Sequence, residues 1–287
     1  MTTQARTKLR EILSSNNVTV CAPVFDPLSV RMADDLGMKV GILGGSVASL
    51  MELGAPDIYL LTLNELAKHA ARVTRAADLP LIVDGDNGYG NALNVMRTIE
   101  ELEKAGTSLV TIEDTIIPQP FKRDSLGLSS IEEACSKLEA ALAARKDSGM
   151  AIFARTNANQ PLDQLIERVE AYCRIGIDGI CLFGCTNKER LAQWSRVSDL
   201  PIMLISYGEL DLGSDVDLVN QNVRIVFNGH NAYEESVRAV YSSLCELSGV
   251  PIEQPLFSSK EIIKKYSHDS FYRDMADKYV SKTETVS

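Results

Sequence analysis

Residues 79–91 read LPLIVDGDNGYGN, and this stretch decides the predicted fold. A continuous apolar run, Leu81 to Val83, stops at Asp84 and is followed by Asp86 and a glycine-broken loop. Such a run, bounded by turn residues, is typical of a strand buried on both faces in a parallel sheet. Because side chains alternate along a strand, Asp84 and Asp86 are predicted to point the same way. Two carboxylates gathered there need a cation, a proton or a basic partner.

Strand-like and helix-like patterns alternate along most of the chain. The predicted strands cover residues 18–24, 40–43, 81–84, 108–113, 151–155, 179–183, 202–206 and 223–228. The predicted helices cover residues 27–36, 63–76, 91–105, 131–145, 162–174, 188–197 and 232–247. Eight such units in roughly 250 residues favour an α/β fold of the (β/α)8 TIM-barrel type over an open sheet. We predict a catalytic barrel over residues 1–249 and a helical tail over 250–287, packing on the barrel or on a partner subunit.

The composition is that of a soluble globular protein, with 45% hydrophobic and 24% charged residues. The net charge of −10 argues against nucleic-acid and anionic-membrane partners, because both would repel an acidic surface. The N-terminus has no apolar signal core, and no later stretch is long and apolar enough to span a bilayer. Six cysteines are scattered without metal-binding spacing, as expected for cytosolic thiols. These features predict a cytoplasmic protein.

Polar groups follow seven of the eight predicted strands, at the barrel end where chemistry takes place in this fold. They are Asp26, Gly44-Gly45-Ser46, Asp84 with Asp86, Glu113 with Asp114, Arg155 with Asn157, Ser206-Tyr207, and Asn228-Gly229-His230. Carboxylates with glycine and asparagine around them suit a hard divalent cation such as Mg2+. The alternative, that Asp84 and Asp86 only shape a turn, is weakened by Glu113 at the next strand end.

Three of these groups have open interpretations on the residues alone. The backbone N–H groups of Gly44 and Gly45 are suited to hold a carboxylate or enolate oxygen, although such a sequence is more often only a loop. Arg155 needs an anion, either a protein carboxylate or a ligand. His230 is either a proton-transfer group or a structural histidine. The remaining histidines, 69 and 268, are predicted to lie on the surface.

Five motifs in this order resemble the isocitrate lyase and phosphoenolpyruvate mutase superfamily over nearly the whole barrel. They are GILGGS (41–46), GAPD (54–57), DGDNGYGN (84–91), TIEDT (111–115) and ARTNA (154–158). The bacterial oxaloacetate decarboxylase branch is the most similar, through VFDP (24–27), GGSVASL (44–50), GYGNALNVMRT (88–98), SYG (206–208) and NGH (228–230). The resemblance implies a (β/α)8 barrel whose last helix is exchanged between subunits of a homotetramer, a dimer of dimers.

The resemblance also implies a set of site residues around Mg2+, with Mn2+ as a possible substitute. The metal residues would be Asp84 as direct ligand, with Asp57, Asp86 and Glu113 acting mainly through water. A small anionic α-keto acid would be held by Gly44, Gly45, Ser46, Arg155 and His230. His230 and Tyr207 match positions characteristic of the decarboxylase branch and would be the catalytic pair.

The long connection over residues 115–130 has the length of a lid or of a mobile solvated loop. The C–C lyases of the superfamily carry a lid cysteine, and residues 115–134 contain no cysteine. The phosphonate mutases carry a lid succession of lysine, threonine, asparagine and serine, which PFKRDS (120–125) lacks. We therefore expect a lyase that decarboxylates oxaloacetate to pyruvate and CO2 through a metal-stabilised enolate. The alternatives are a phosphonopyruvate or carboxyphosphonoenolpyruvate-type mutase or hydrolase, a 2-alkylmalate C–C lyase without the lid cysteine, or a ligand-binding barrel without turnover.

Overall fold

The structure, a computed structural model, describes residues 3–122, 126–185, 187–207, 212–249 and 258–281. Within them, nine parallel strands form one sheet in the order β1-β9-β8-β7-β6-β5-β4-β3-β2. The strands are β1 Thr19–Val20, β2 Ala22–Pro23, β3 Gly41–Leu43, β4 Leu81–Asp84, β5 Leu109–Glu113, β6 Ala151–Asn157, β7 Gly179–Phe183, β8 Ile202–Ser206 and β9 Val223–Asn228. Every predicted strand is present, which confirms the α/β barrel.

The predicted first strand is split into two short pieces, and this split closes the barrel. β1 pairs with β9, the last strand, whereas β2 pairs with β3. Only Cys21 separates the two pieces, and its N–H donates to the Val226 carbonyl at 2.9 Å. The next N–H, from Ala22, donates to the Val40 carbonyl at 2.9 Å. The chain therefore changes partners at one residue, so that both edges of the sheet are covered by the same segment.

Twelve helices lie within the described residues and alternate with the strands. They are α1 Gln4–Ser14, α2 Pro27–Asp35, α3 Gly45–Leu53, α4 Leu63–Thr74, α5 Ala92–Lys104, α6 Ile131–Ala144, α7 Leu162–Ile175, α8 Lys188–Trp194, α9 Asp215–Asn220, α10 Asn231–Ser248, α11 Ser259–Tyr266 and α12 Asp269–Tyr279. All seven predicted helices are present, the sixth ending in a 3-10 turn at Ser195–Val197. The helices α1, α3 and α9 were not among the predicted ones; α9 is only six residues long, and the glycines at the start of α3 disfavour a helix locally.

Side-chain alternation on the strands divides the apolar core into two layers. Ile82 points into the barrel and packs with Leu109 and Phe153, whereas Leu81 and Val83 pack outward against the helices. The same alternation continues to the strand ends. It determines which polar groups enter the barrel mouth and which enter the layer beneath the helices.

The amphipathic helix α1 contributes its apolar face to the barrel interior and is held there by arginines. Leu9 and Ile12 are buried in the interior layer. Arg6 is buried, donates to the carbonyls of Thr107 at 3.0 Å and Glu103 at 2.7 Å, and pairs with Asp147 at 2.6 Å. The guanidinium thus satisfies carbonyl groups at the end of the barrel opposite to the strand C-termini.

The tail forms two helices that meet at His268, which has a positive φ of 58°. α11 packs on α10 through the buried Ile262 and through the rings of Tyr241 and Tyr266, 5.9 Å apart. The following α12 has no buried residues in this single chain. The division of the chain into barrel and tail, and the exchange of a helix between subunits, remain predictions.

One histidine prediction is wrong. His69 is only 2% exposed, because it lies on the inner face of α4 and not on its outer face. Its Nε2 is 2.6 Å from the Phe25 carbonyl and its Nδ1 is 3.1 Å from Glu52 Oε1. It therefore joins α4 to the end of the split first strand, whereas His268 is exposed as predicted.

Replacing Arg6 tests the contribution of α1 to the fold. Arg6→Met keeps an apolar stem but removes the ion pair to Asp147 and the hydrogen bonds to two carbonyls, so the free energy of unfolding should fall by about 3 kcal/mol in urea denaturation. The control Lys8→Met removes one exposed hydrogen bond from the same helix and should cost less than about 0.5 kcal/mol. Equal losses in the two variants would contradict this role.

Candidate active site at the carboxyl ends of the strands

The carboxyl ends of β4, β5 and β6 bring three ionisable side chains together. In the sheet register Asp84 lies beside Thr111, and Glu113 lies beside Arg155. All four side chains point into the barrel, because side chains two residues apart on a strand face the same way. Asp84 lies two residues after the inward-facing Ile82. Thr111 and Glu113 follow Leu109 in the same way, and Arg155 follows Phe153. The register therefore places acids and one arginine at the same mouth.

Arg155 is the cation of this mouth and is enclosed by protein groups. Its Nη1 forms an ion pair and short hydrogen bond with Asp84 Oδ2, and its Nε lies 3.4 Å from Glu113 Oε2. The guanidinium carbon lies 5.1 Å from the ring centroid of Phe183, as in a cation–π contact. Burial opposes the charge of Arg155, but Asp84 and Glu113 outweigh it and raise the pKa of the guanidinium above its usual range. The anion required by Arg155 is thus a protein carboxylate in this structure.

The loop after β4 folds back over the strand end and fixes Asp86. Asp86 adopts a positive φ of 47°, its N–H donates to Asp84 Oδ1 at 3.2 Å, and its carbonyl accepts from the Glu113 N–H at 2.8 Å. Burial, followed by the charges of Asp84, Asp57 and Glu113, raises its pKa well above the usual range. Backbone strain of this kind commonly occurs at functional sites, where the surrounding structure maintains it.

The glycines after β3 begin a helix, whereas a sequence of this kind more often forms only a loop. Gly44 caps α3 in an extended conformation without a side-chain hydrogen bond, and Gly45 is the first helical residue. A Cβ on Gly45 would lie 3.3 Å from Asp86 Oδ1, so the acids and the helix N-terminus are in close contact. Ser46 follows on the first turn and is partly buried. The free N–H groups and positive dipole end of a helix favour a bound anion.

His230 closes the opposite side of the mouth, at the end of β9. A Cβ on Gly44 would lie only 2.6 Å from its Cε1 and 2.7 Å from its Nε2, so the imidazole lies directly against the glycine. Burial lowers the pKa of His230 to about 4, although the charge of Asp84 acts in the opposite direction. The ring is therefore neutral near pH 7. It packs on Phe227, 5.0 Å between centroids, and Tyr207 lies 6.5 Å away with 62% of its surface exposed.

Asp57 lies in the loop after α3 and completes the set of four acids. It is exposed on its outer side, and loss of hydration on its inner side, with the charge of Asp84, raises its pKa to about 6. For Glu113, which is buried, desolvation raises the pKa to about 7 against the opposing charge of Arg155. Four carboxylates beside one guanidinium leave the cluster with a net negative charge when the acids are ionised. Such a cluster favours an added positive charge.

The donor set fits a hard divalent cation, since it consists of carboxylate oxygens with excess negative charge. In the described part of the chain, no three His, Cys, Asp or Glu side chains have the arrangement of a complete ligand cage. A site with one direct carboxylate and several coordinated waters does not require such a cage, and Mg2+ is commonly bound in this way. A cavity of about 430 Å3 opens beside Asp86 and also contacts Tyr59, Tyr89 and Ile117.

All predicted site residues thus lie at one mouth, together with several that were not predicted from the sequence. Thr111 Oγ1 donates to Asp84 Oδ1 at 3.4 Å, and Phe183 stacks on Arg155. Strand alternation from Glu113 would have identified Thr111. Tyr59 could not have been identified, because it lies in a loop with a φ of 64° and belongs to no strand or helix pattern. Burial, followed by the charges of Glu113 and Asp57, raises the pKa of its hydroxyl.

The long connection after β5 begins as a short ladder. Thr115 bridges Leu128 in antiparallel fashion, and the Ile116 N–H donates to the Gly127 carbonyl at 2.8 Å. The Lys122 N–H donates to the Val280 carbonyl in the tail at 2.8 Å. Residues 123–125 of the predicted lid lie outside the described residues. Whether the connection acts as a lid remains a prediction.

Fold and site together define a class: a (β/α)8 barrel with a cluster of acids, one arginine and a helix N-terminus at its catalytic mouth. Residues 9–247 match the family described as phosphoenolpyruvate phosphomutase, and the chain belongs to that family. This confirms the resemblance inferred from the motifs. In the described part of the chain, none of the helices has the length and apolar character needed to cross a membrane.

Similar proteins differ in the reactions they are named for. Oxaloacetate decarboxylase 1 of Pseudomonas fluorescens is 46% identical over 280 residues, covering 97% of both chains. A crystal structure of oxaloacetate acetylhydrolase matches with a TM-score of 0.76 and 26% identity, covering 95% of this chain and 98% of that one. Phosphonopyruvate hydrolase, solved in complex with oxalate and Mg2+, matches with a TM-score of 0.74 and 25% identity, covering 97% and 99%.

The raised pKa values predict how stability depends on pH when metal is removed. The folded protein keeps protons on Asp57 and Glu113 at pH values where the unfolded chain has lost them. Their contribution to stability is full below about pH 4 and is lost as pH rises through 6 and 7. In a chelator, Tm should therefore fall between pH 5 and 8, and Glu113→Gln should reduce this fall. The exposed control Glu132→Gln should keep the wild-type dependence; an unchanged dependence in Glu113→Gln would contradict the assignment.

Proposed function

We propose that this chain is a cytoplasmic, Mg2+-dependent oxaloacetate decarboxylase that forms pyruvate and CO2. The observation that carries the proposal is the 46% identity to an oxaloacetate decarboxylase across 97% of both chains. The mouth supports it chemically, because four acids opposed by one arginine suit a divalent cation. A small anionic α-keto acid is the substrate, and Mn2+ is a possible substitute for Mg2+.

Asp84 would hold the metal directly, and Asp57, Asp86 and Glu113 would act mainly through water. When bound, Mg2+ would supply Lewis-acid polarisation of the keto oxygen and neutralise the developing negative charge. Arg155 holds Asp84 and Glu113 in place, since it pairs with both, and it adds positive charge on the same side. An ion pair to a carboxylate that binds metal fixes the orientation of its oxygens.

The N-terminus of α3 binds the keto-acid end of the substrate. The N–H groups of Gly45 and Ser46 belong to the first turn, which leaves them without intrahelical partners. As the bond between the methylene carbon and the distal carboxylate breaks, its electron pair moves toward the keto carbonyl and CO2 leaves. Preorganised N–H donors and Arg155 stabilise the charge that reaches the keto oxygen.

His230 and Tyr207 act at the carbon that loses CO2. The neutral imidazole can direct a hydrogen bond at the leaving carboxylate without holding it as an ion pair, so it does not oppose the departure of CO2. The Tyr207 ring lies 6.5 Å from the imidazole between centroids and is 62% exposed, so solvent can resupply the proton that this pair delivers. We assign proton delivery to this pair of residues.

Related reactions give different products from the same substrate or need other groups. An oxaloacetate acetylhydrolase, which is a structural neighbour, would form acetate and oxalate in place of pyruvate and CO2. A C–C lyase of the superfamily type would use a lid cysteine, and residues 115–134 contain none.

We further propose a homotetramer, a dimer of dimers, in which the last helix is exchanged between subunits; the exposed α12 supports this assembly.

The direct test follows pyruvate from oxaloacetate and Mg2+, with a protein-free Mg2+ blank because the free ion also catalyses the reaction. Asp84→Ala should lower metal-dependent turnover at least about a hundredfold, since it removes the ligand and the partner of Arg155. The exposed control Asp217→Asn on α9 should keep full activity. A wild-type rate equal to the blank, or acetate and oxalate as products, would refute the proposed reaction.

Gly44→Ala tests the position of His230 without changing its chemistry. At φ −81° alanine is tolerated by the backbone, but its methyl would lie 2.6 Å from His230 Cε1 and displace the ring. We expect kcat/KM to fall about tenfold, as for a misplaced catalytic group. The control Gly176→Ala is strained at φ +86° but has no neighbour within 4 Å, so it should lower Tm and keep kcat/KM. If both variants lower activity equally, contact with His230 is not the cause.

A further inference from the structure

The residue after Glu113 points away from the mouth into a buried polar network. Asp114 follows β5 and is 4% exposed. Its Oδ2 accepts from the Tyr172 hydroxyl at 2.7 Å and lies 3.2 Å from Arg168 Nη1. Arg168 Nη1 also donates to the Tyr172 hydroxyl at 3.0 Å. Both partners lie on α7, one helical turn apart, so the network joins this helix to the end of β5.

The backbone of Asp114 connects this network to the mouth. Its N–H donates to the carbonyl of Arg155 at 3.2 Å, so it contacts the peptide unit that carries the only arginine found in the acid cluster among the described residues. Its carbonyl accepts from the Ser129 N–H at 2.8 Å. A shift of Asp114 therefore moves Arg155 on one side and Ser129 on the other.

The same network holds the end of the long connection. Ser129 lies next to the start of α6, and its carbonyl accepts from Arg168 Nη2 at 3.1 Å. Both peptide groups of Ser129 are thus fixed, one by the Asp114 backbone and one by the guanidinium. The ladder between Thr115 and Leu128 extends this fixed point to the beginning of the connection.

We propose that Asp114, Arg168 and Tyr172 are positioning residues, which set the place of Arg155 and of the base of the 115–130 connection without contacting the substrate. This inference rests on the proposed function only for its kinetic readout. The ion pair lies beneath the helices, where apolar residues would fill the space at lower desolvation cost. Its hydrogen bonds instead hold the end of β5, the Arg155 carbonyl on β6 and the residue before α6 at fixed positions relative to one another.

A second, partly buried acid offers a matched control. Asp178 pairs with Arg10 at 2.6 Å and with Arg145, and it accepts from the Ile152 N–H at 2.9 Å. Ile152 lies on β6, as Arg155 does, but at the opposite end of the strand. Asp114→Asn and Asp178→Asn therefore each remove one charge from an Asp–Arg network that touches the same strand. Only the first network touches the mouth.

The kinetic test compares the two variants under conditions where both are folded. Asp114→Asn should lower kcat for oxaloacetate about tenfold or more, because a small displacement of catalytic groups is costly. Tyr172→Phe keeps the ion pair and should show a smaller loss in the same direction. Asp178→Asn should lower Tm to a similar extent while kcat and KM stay within twofold of wild type. Wild-type kinetics in Asp114→Asn, or equal losses in both Asn variants, would overturn the proposal.

Hydrogen exchange measured by mass spectrometry separates this inference from the proposed reaction. Asp114→Asn should speed exchange of the amides of residues 126–130 at least about tenfold relative to wild type, since Arg168, which holds the Ser129 carbonyl, loses its ion-pair partner. Asp178→Asn should leave those amides unchanged. If wild type does not decarboxylate oxaloacetate, the proposed function fails, and this comparison still decides the positioning role. Equal protection in Asp114→Asn and wild type would overturn it.

Discussion

The ion pair between Arg155 and Asp84 is the contact around which the mouth is arranged. A single guanidinium faces four carboxylates, and burial raises the pKa of two of them, Asp57 and Glu113. The barrel tolerates this excess because parallel strands hold their carboxyl ends in fixed register, so the acids cannot separate. Charge held under this constraint is available to bind a cation. The helix N-terminus at Gly45 then provides a place for an anion beside it.

Much of the fold was predictable, because continuous apolar runs of strand length alternate with helical patterns. Barrel closure was not, since the switch of partners at Cys21 depends on hydrogen bonds to two strands far away in sequence. α3 was missed for a related reason: glycines at its start disfavour a helix locally, and packing against Asp86 and His230 overrides that preference. Tertiary contacts decided both cases.

The site was predictable where a side chain lies on a strand and less so where it enters from a loop. Asp84, Glu113 and Arg155 follow from strand ends and alternation. Tyr59 depends on a left-handed loop residue, which leaves no pattern in the sequence. His69 was placed on the wrong helix face, because a polar side chain on an amphipathic helix is usually exposed and its hydrogen bond to the split first strand cannot be read locally.

Adjacent acids at the end of β5 serve opposite sides of the sheet. Glu113 faces the mouth and Asp114 faces α7, because successive residues of a strand alternate. Deletion or insertion of one residue within β5 would turn Glu113 toward α7 and Asp114 toward the mouth. The candidate site and the buried polar network would then be lost together. In evolution this strand end can change only by substitution. Length variation is open only to the neighbouring 115–130 connection beyond its ladder, where an added residue does not change the face of a strand.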